Sequence, residues 1–189
     1  MGTVADVRIP LYPLTVDRYE RMVDAGILDE DDPVELLNGQ LAETSPQGEQ
    51  HCGLLQWLST VLIRAIDPEV AGVRVQMPLT FAPLSVPEPD IAIVAAGLNT
   101  KAHPAAAELV IEIAVTTRRF NLGAKAEIYA AAGVREYWVI DVPARVVHVH
   151  DAPSDAGYGA RRQVATGTLQ PPVPGAPAID VEALFALLD

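Results

Sequence analysis

Two charges in this 189-residue chain stand where solubility alone would not put them. Glu112 interrupts the apolar run Leu109-Val-Ile-Glu-Ile-Ala-Val115, and Lys125 falls on the stripe Leu122, Lys125, Ile128, Tyr129 and Ala132. Strand side chains alternate between faces, so Leu109, Ile111, Ile113 and Val115 share one face while Glu112 lies on the other with Val110 and Ala114. Residues three and four apart share a helix face, which puts Lys125 on the packed side of a helix from Phe120 to Ala132, closed by Gly133 just past its last turn. A lysine seldom goes inside without a partner, and a nearby carboxylate supplies one. Asp90 opens the strand Asp90 to Val94 on the face of Ala92 and Val94, and Glu35 sits between Val34 and Leu36. Singly, each acid reads as a turn cap or a solvated strand residue. Together, three acids and a lysine placed where solubility alone would not put them outline a site, and carboxylate oxygens suit a hard cation.

The elements that must position these residues follow from periodicity and punctuation. Leu14 to Gly26 reads as a short helix with Thr15 as N-cap, Val16, Tyr19, Met22 and Val23 inward, and Gly26 as its stop. The acidic run Asp29 to Asp32 is a loop. Val34 to Glu43 is a hairpin, because Asn38-Gly39 suits the positive φ angles of a type I′ turn. A helix from about Gln50 to Ile66 buries Leu54, Leu55, Leu58, Val61, Leu62 and Ala65. Val73 to Phe81, Glu136 to Asp141 and Arg145 to His150 read as strands, the last two joined at Pro143-Ala144, and Val181 to Leu188 as a final helix. Strands followed by a strand, helix, strand unit give an α/β fold, bordering on α+β, with a mixed sheet. One domain spanning residues 1–189 is expected, with a core of about 14–152 and a C-terminal extension over 153–189.

Composition removes whole classes of function. No apolar segment approaches the roughly 18 residues of a membrane span, and the N-terminus lacks the basic and apolar regions of a signal peptide, so a cytoplasmic protein is expected. The single cysteine, Cys52, rules out an internal disulfide, and one cysteine with four scattered histidines makes no zinc spacing. His148 and His150 alternate on one strand but lack a third ligand. A net charge of −12 opposes tight nonspecific binding to nucleic acid, which draws on Lys and Arg displacing counterions. Local basic patches remain open, from His103, Arg118, Arg119 and Lys125 or from Arg161 and Arg162. Trp57, Tyr129, Tyr137 and Trp138 read as packing residues.

Longer motifs carry a resemblance. Val34-Glu-Leu-Leu-Asn-Gly-Gln-Leu41, the approach from Pro46 to His51, Val75-Gln-Met-Pro-Leu79, Pro87-Glu-Pro-Asp90, Leu109-Val-Ile-Glu-Ile113 and the block from Gly123 to Asp141 are similar to the Uma-two family of restriction-endonuclease-like proteins, within the PD-(D/E)XK nuclease superfamily. The resemblance covers roughly Leu14 to Phe185. It implies a restriction-endonuclease-like mixed sheet flanked by helices, Asp90 and Glu112 as metal-binding acids, Lys125 as the catalytic lysine moved onto the following helix, and Glu35 as an extra N-terminal acid. Gln76 takes a position that the resemblance puts close to the site, while His51, at the entrance of the first long helix, reads either as a contact near the site or as a cap or surface histidine. Asn121 stands where the family has an Asp, and Glu112 is followed by Ile113-Ala-Val-Thr-Thr117 where the family often has a serine. The implied activity is hydrolysis of DNA phosphodiester bonds with Mg2+, or Mn2+ in its place, and the implied assembly is a homodimer. The competing class is a catalytically inactive relative kept as a binding or assembly module, which Asn121 and the acidic charge favour.

Overall fold

The computed structural model describes residues 11–29, 32–44, 46–97 and 101–189. Its centre is a six-stranded sheet in the order β3 (Ala71–Val75), β4 (Ile91–Ala95), β5 (Leu109–Ala114), β6 (Glu136–Asp141), β7 (Val146–Ser154) and β8 (Gly157–Val164). The β5–β6 pair is parallel and the others are antiparallel, so the sheet is mixed. Parallel neighbours need a crossover. Here it is a helical stretch made of α3 (Arg118–Phe120), a π-turn (Asn121–Lys125) and α4 (Ala126–Ala131).

The alternation read from β4 and β5 holds. Ile91, Ile93, Leu109, Ile111 and Ile113 enter one hydrophobic cluster with Leu54, Leu55, Leu58 and Leu62 of α2 (Glu49–Ala65). That cluster also takes in Leu169, Ile179, Leu184 and Phe185 around β9 (Thr168–Leu169), β10 (Ile179–Asp180) and α5 (Val181–Ala186). Ala92, Val94, Val110 and Ala114 face the other way, under Ala126, Tyr129 and Ala130 of α4. Glu112 and Asp90 share this second side, roofed by the helix that carries Lys125.

The hairpin β1 (Val34–Leu37) and β2 (Gln40–Glu43) turns on Asn38 at φ 48° and Gly39 at φ 75°. Gly39 is required twice over, since a Cβ there would lie 2.6 Å from Pro13 Cβ. Leu36 anchors the hairpin in a small cluster with Val16 of α1 (Val16–Asp24) and Val86.

Several sequence expectations need correction. The strand expected over Val73 to Phe81 is β3, ending at Val75, because Gln76 takes a left-handed φ of 49° and its N–H donates to Asp90 O. Val23 and Ala65 are exposed, since α1 packs through Val16 and α2 closes its buried face with Ile66. The strand after Pro143-Ala144 runs on to Ser154 and pairs with β8, which puts sheet beyond residue 152. The helix over Phe120 to Ala132 begins two residues earlier and contains the π-turn, and Gly133 follows it at φ 75°. The final helix is α5, ending at Ala186. Residues 30 and 31 of the acidic loop lie outside the described residues. Among the described residues no helix is long and apolar enough to cross a membrane.

Candidate active site

Glu35, Asp90, Glu112 and Lys125 come from four separate segments and line one cleft of about 330 Å³. All four are buried. Lys125 Nζ lies 2.9 Å from Glu112 Oε1 and 3.1 Å from Glu35 Oε2. The π-turn delivers it, with both end residues, Asn121 and Lys125, buried and lining the cleft. Such local widenings of a helix recur at functional sites because the extra residue re-aims side chains.

Each carboxylate is held from more than one side. Asp90 Oδ2 accepts the Ile113 N–H at 2.7 Å, and Asp90 Oδ1 lies 3.0 Å from His51 Nε2 in the first turn of α2. Glu35 Oε2 also accepts the Glu88 N–H at 3.0 Å. Glu112 Oε1 accepts the Tyr129 hydroxyl at 2.9 Å as well as Lys125, while its Oε2 has no hydrogen-bond partner among the described residues. Gln76 and His51 both line the cleft, and the left-handed backbone at Gln76 is of the kind that costs of order 1–3 kcal/mol and collects at functional sites.

The electrostatics follow from burial and crowding. Burial pushes the Glu112 carboxyl up to about 7 against the pull of Lys125, and the charges of Asp90 and Glu35 push the same way as burial. Burial alone would lower Lys125, but the charges of Glu112 and Glu35 outweigh it and the ammonium is held above its usual range. His51 behaves alike: burial opposes its charge, and the bond and charge of Asp90 with the charge of Glu112 raise it. Glu88, on the rim, is raised by partial burial and then by Glu35.

Sequence reasoning missed Tyr129 as a partner of Glu112, although its place four residues after Lys125 puts both on one helix face. It also missed Glu88, whose signal was only its place beside Asp90. Asn121 is buried, its amide donating to Thr117 Oγ1 at 3.3 Å and its carbonyl accepting the Tyr137 hydroxyl at 3.1 Å. His148 and His150 do not join the site. His148 Nε2 lies 3.4 Å from Asp141 Oδ2, and His150 packs against the rings of Tyr137 and Tyr158.

A family model, Uma2, described as "Putative restriction endonuclease", matches residues 16–182. A solved structure from Anabaena variabilis ATCC 29413, described as a putative nuclease belonging to DUF820, aligns with a TM-score of 0.73 at 21% identity, covering 94% of this chain and 100% of that one. At that identity the likeness is one of fold. No curated protein matches the chain.

Proposed function

The chain belongs to the Uma2 family, and from that footing we propose that it is a metal-dependent endonuclease hydrolysing DNA phosphodiester bonds. The observation that carries this reading is the buried Lys125 held between Glu112 and Glu35 on the floor of a cleft that also holds Asp90. A structural ion pair has no need of further carboxylates or of an opening to solvent.

The donor set fits Mg2+, and Mn2+ suits the same oxygens. Glu112 Oε2 is free of hydrogen bonds among the described residues, and each Asp90 oxygen keeps a lone pair beyond the bond it accepts. Among the described residues no group of three or more His, Cys, Asp or Glu side chains is placed to hold a metal ion. Mg2+ needs none, since it retains several waters and uses one or two carboxylates with substrate phosphate. A divalent cation would also offset the crowding that pushes Glu112 upward. When bound, such an ion polarises the phosphate and lowers the pKa of a bound water.

The chain's own residues do the rest. Lys125 donates to a phosphate oxygen as negative charge develops, or orients the attacking water. Tyr129 keeps Glu112 turned, and His51 with the Ile113 N–H fixes Asp90, which is how groups behind a ligand set its direction.

Cleavage of plasmid, linear and single-stranded DNA with Mg2+ and with chelator tests the reading, paired with calorimetric metal titration. Asp90→Asn and Glu112→Gln are expected to weaken metal binding and lower cleavage together. Lys125→Met is expected to keep metal binding while lowering the rate on the order of a hundredfold or more. Cleavage that persists in all three variants would overturn the site. Wild-type protein that neither binds metal nor cleaves would support the second reading, a binding module, which the engagement of both Asp90 oxygens by protein donors favours.

A further inference from the structure

The two walls of the cleft differ in charge. One is built by residues 115 to 121, where the uncharged Val115, Thr116, Thr117, Phe120 and Asn121 line the opening; Arg118 and Arg119, both exposed, precede Phe120 in the chain and stand beside this wall rather than in the cleft lining. The other is built by the hairpin and the segments before and after it, where Asp32 and Glu43 line the opening, with Glu88 beside them and no lysine or arginine among the described lining residues. Phe120 is 39% exposed and joins none of the hydrophobic clusters. It presents an aromatic side chain, partly open to solvent, at the mouth of the cleft.

We propose that this cleft takes single-stranded DNA, with one strand running along the wall of residues 115 to 121 and a base stacked on Phe120. The proposal rests on the nuclease reading and names its substrate class. A duplex offers phosphates to both walls, and those facing Asp32, Glu43 and Glu88 meet like charge, whereas a single strand can lie wholly along the uncharged wall, with the exposed Arg118 and Arg119 next to it in the chain. Stacking on an aromatic side chain together with a cationic track is the general way proteins hold single strands without reading sequence. Arg118 is already paired with Asp141 yet leaves its side chain 56% exposed, so it can share its charge with a passing phosphate.

The test is fluorescence anisotropy with a labelled single strand and a duplex of the same sequence, with calcium replacing magnesium so that binding is read without turnover. The single strand is expected to bind about tenfold or more tighter, Phe120→Ala to weaken it by about tenfold or more, and Phe120→Trp to keep it. Asp32→Asn with Glu43→Gln is expected to raise duplex affinity more than single-strand affinity. A duplex that binds as well as or better than the single strand, a Phe120→Ala protein of unchanged affinity, or no binding of either probe would overturn the proposal. If Phe120→Ala melts below the assay temperature, Phe120→Trp and the acidic-wall variant decide the matter by the same criteria. Single-strand binding without cleavage in magnesium would overturn the hydrolase reading alone. Cleavage of duplex with no preference for single strands would overturn this proposal alone.

Discussion

Glu112 and His150 lie on the same side of the same sheet, and their surroundings treat polarity in opposite ways. Around Glu112 the structure gathers charge: Lys125, Glu35 and Asp90 are buried with it beside an open cleft. Around His150 it gathers neutral rings, with Tyr137 and Tyr158 at 5.6 Å between centroids. Burial raises Glu112 to about 7 and lowers His150 to about 4, in each case toward the uncharged form. Only at Glu112 is a buried cation placed to oppose that drift. Keeping a charge inside is expensive unless it is paired; the cleft bears that expense at four side chains together, whereas at the end of β6 it falls on Asp141 alone, paired with the exposed Arg118. The surroundings of His150 show what plain packing does with a polar side chain that has no charge partner.

The largest expected break in this contrast is Lys125→Met. Removing one member of a buried ion pair typically costs 3–5 kcal/mol because the other is stranded, so a loss of about 3 kcal/mol or more is expected near pH 8. The folded pKa of Glu112 lies above its unfolded value, so the native state binds more protons between about 4.5 and 7, and stability falls as pH rises through that window. Lys125 is raised above its ordinary value, so its contribution is whole below that value and is lost only at higher pH. Without Lys125 the folded pKa of Glu112 rises further, so the window of loss extends above pH 7. Urea midpoints are expected to level off above about pH 7 in wild type and to keep falling toward pH 8 in Lys125→Met. A variant that levels off at the same pH as wild type would show that the pair is not what holds Glu112.

A smaller difference separates two buried tyrosines. Tyr129 donates to the Glu112 carboxylate and Tyr137 to the Asn121 carbonyl. Hydrogen bonds to charged groups contribute about 1.5–3 kcal/mol and neutral ones about 1 kcal/mol. Tyr129→Phe is therefore expected to lose more stability than Tyr137→Phe above pH 7, and to lower cleavage where Tyr137→Phe leaves it nearly unchanged. Equal losses in unfolding and in cleavage assays would sink the distinction.

Both regions were partly legible in the sequence, for different reasons. Alternation put Glu112 and Asp90 on one face, and helical spacing put Lys125 inward, because charges among apolar residues are conspicuous. The π-turn was hidden, since Leu122, Lys125 and Tyr129 fit an ordinary helical stripe. Gln76 gave no warning that it would end β3, as a left-handed φ at a glutamine is set by its surroundings rather than by its own preference. β8 escaped notice because Gly157-Tyr-Gly-Ala-Arg-Arg-Gln-Val164 is an edge strand, and edges carry charge rather than an apolar run. Tyr129 reads as packing from its spacing, and it packs, but its hydroxyl also reaches the site.

The smallest expected effect belongs to His150, which sharpens the comparison by reversing its pH sign. Burial first, then the charge of Arg161 and the nearness of His148, lower its pKa from 6.5 to about 4. Between those values the unfolded chain binds more protons than the native one, so stability is present above about pH 6.5 and is lost as pH falls toward 4. At the Glu112 end the loss runs the other way, with rising pH. Phenylalanine fills much the same space as the imidazole, stays uncharged and suits the ring contacts with Tyr137 and Tyr158. His150→Phe is thus expected to change stability by no more than about 1 kcal/mol near pH 7, to leave cleavage unchanged, and to flatten the decline of the urea midpoint from about pH 6.5 to 4.5. A variant whose midpoint falls as steeply as wild type on the acid side would mean that His150 takes up its proton without disturbing its packing. The two ends of the sheet would then not differ as claimed.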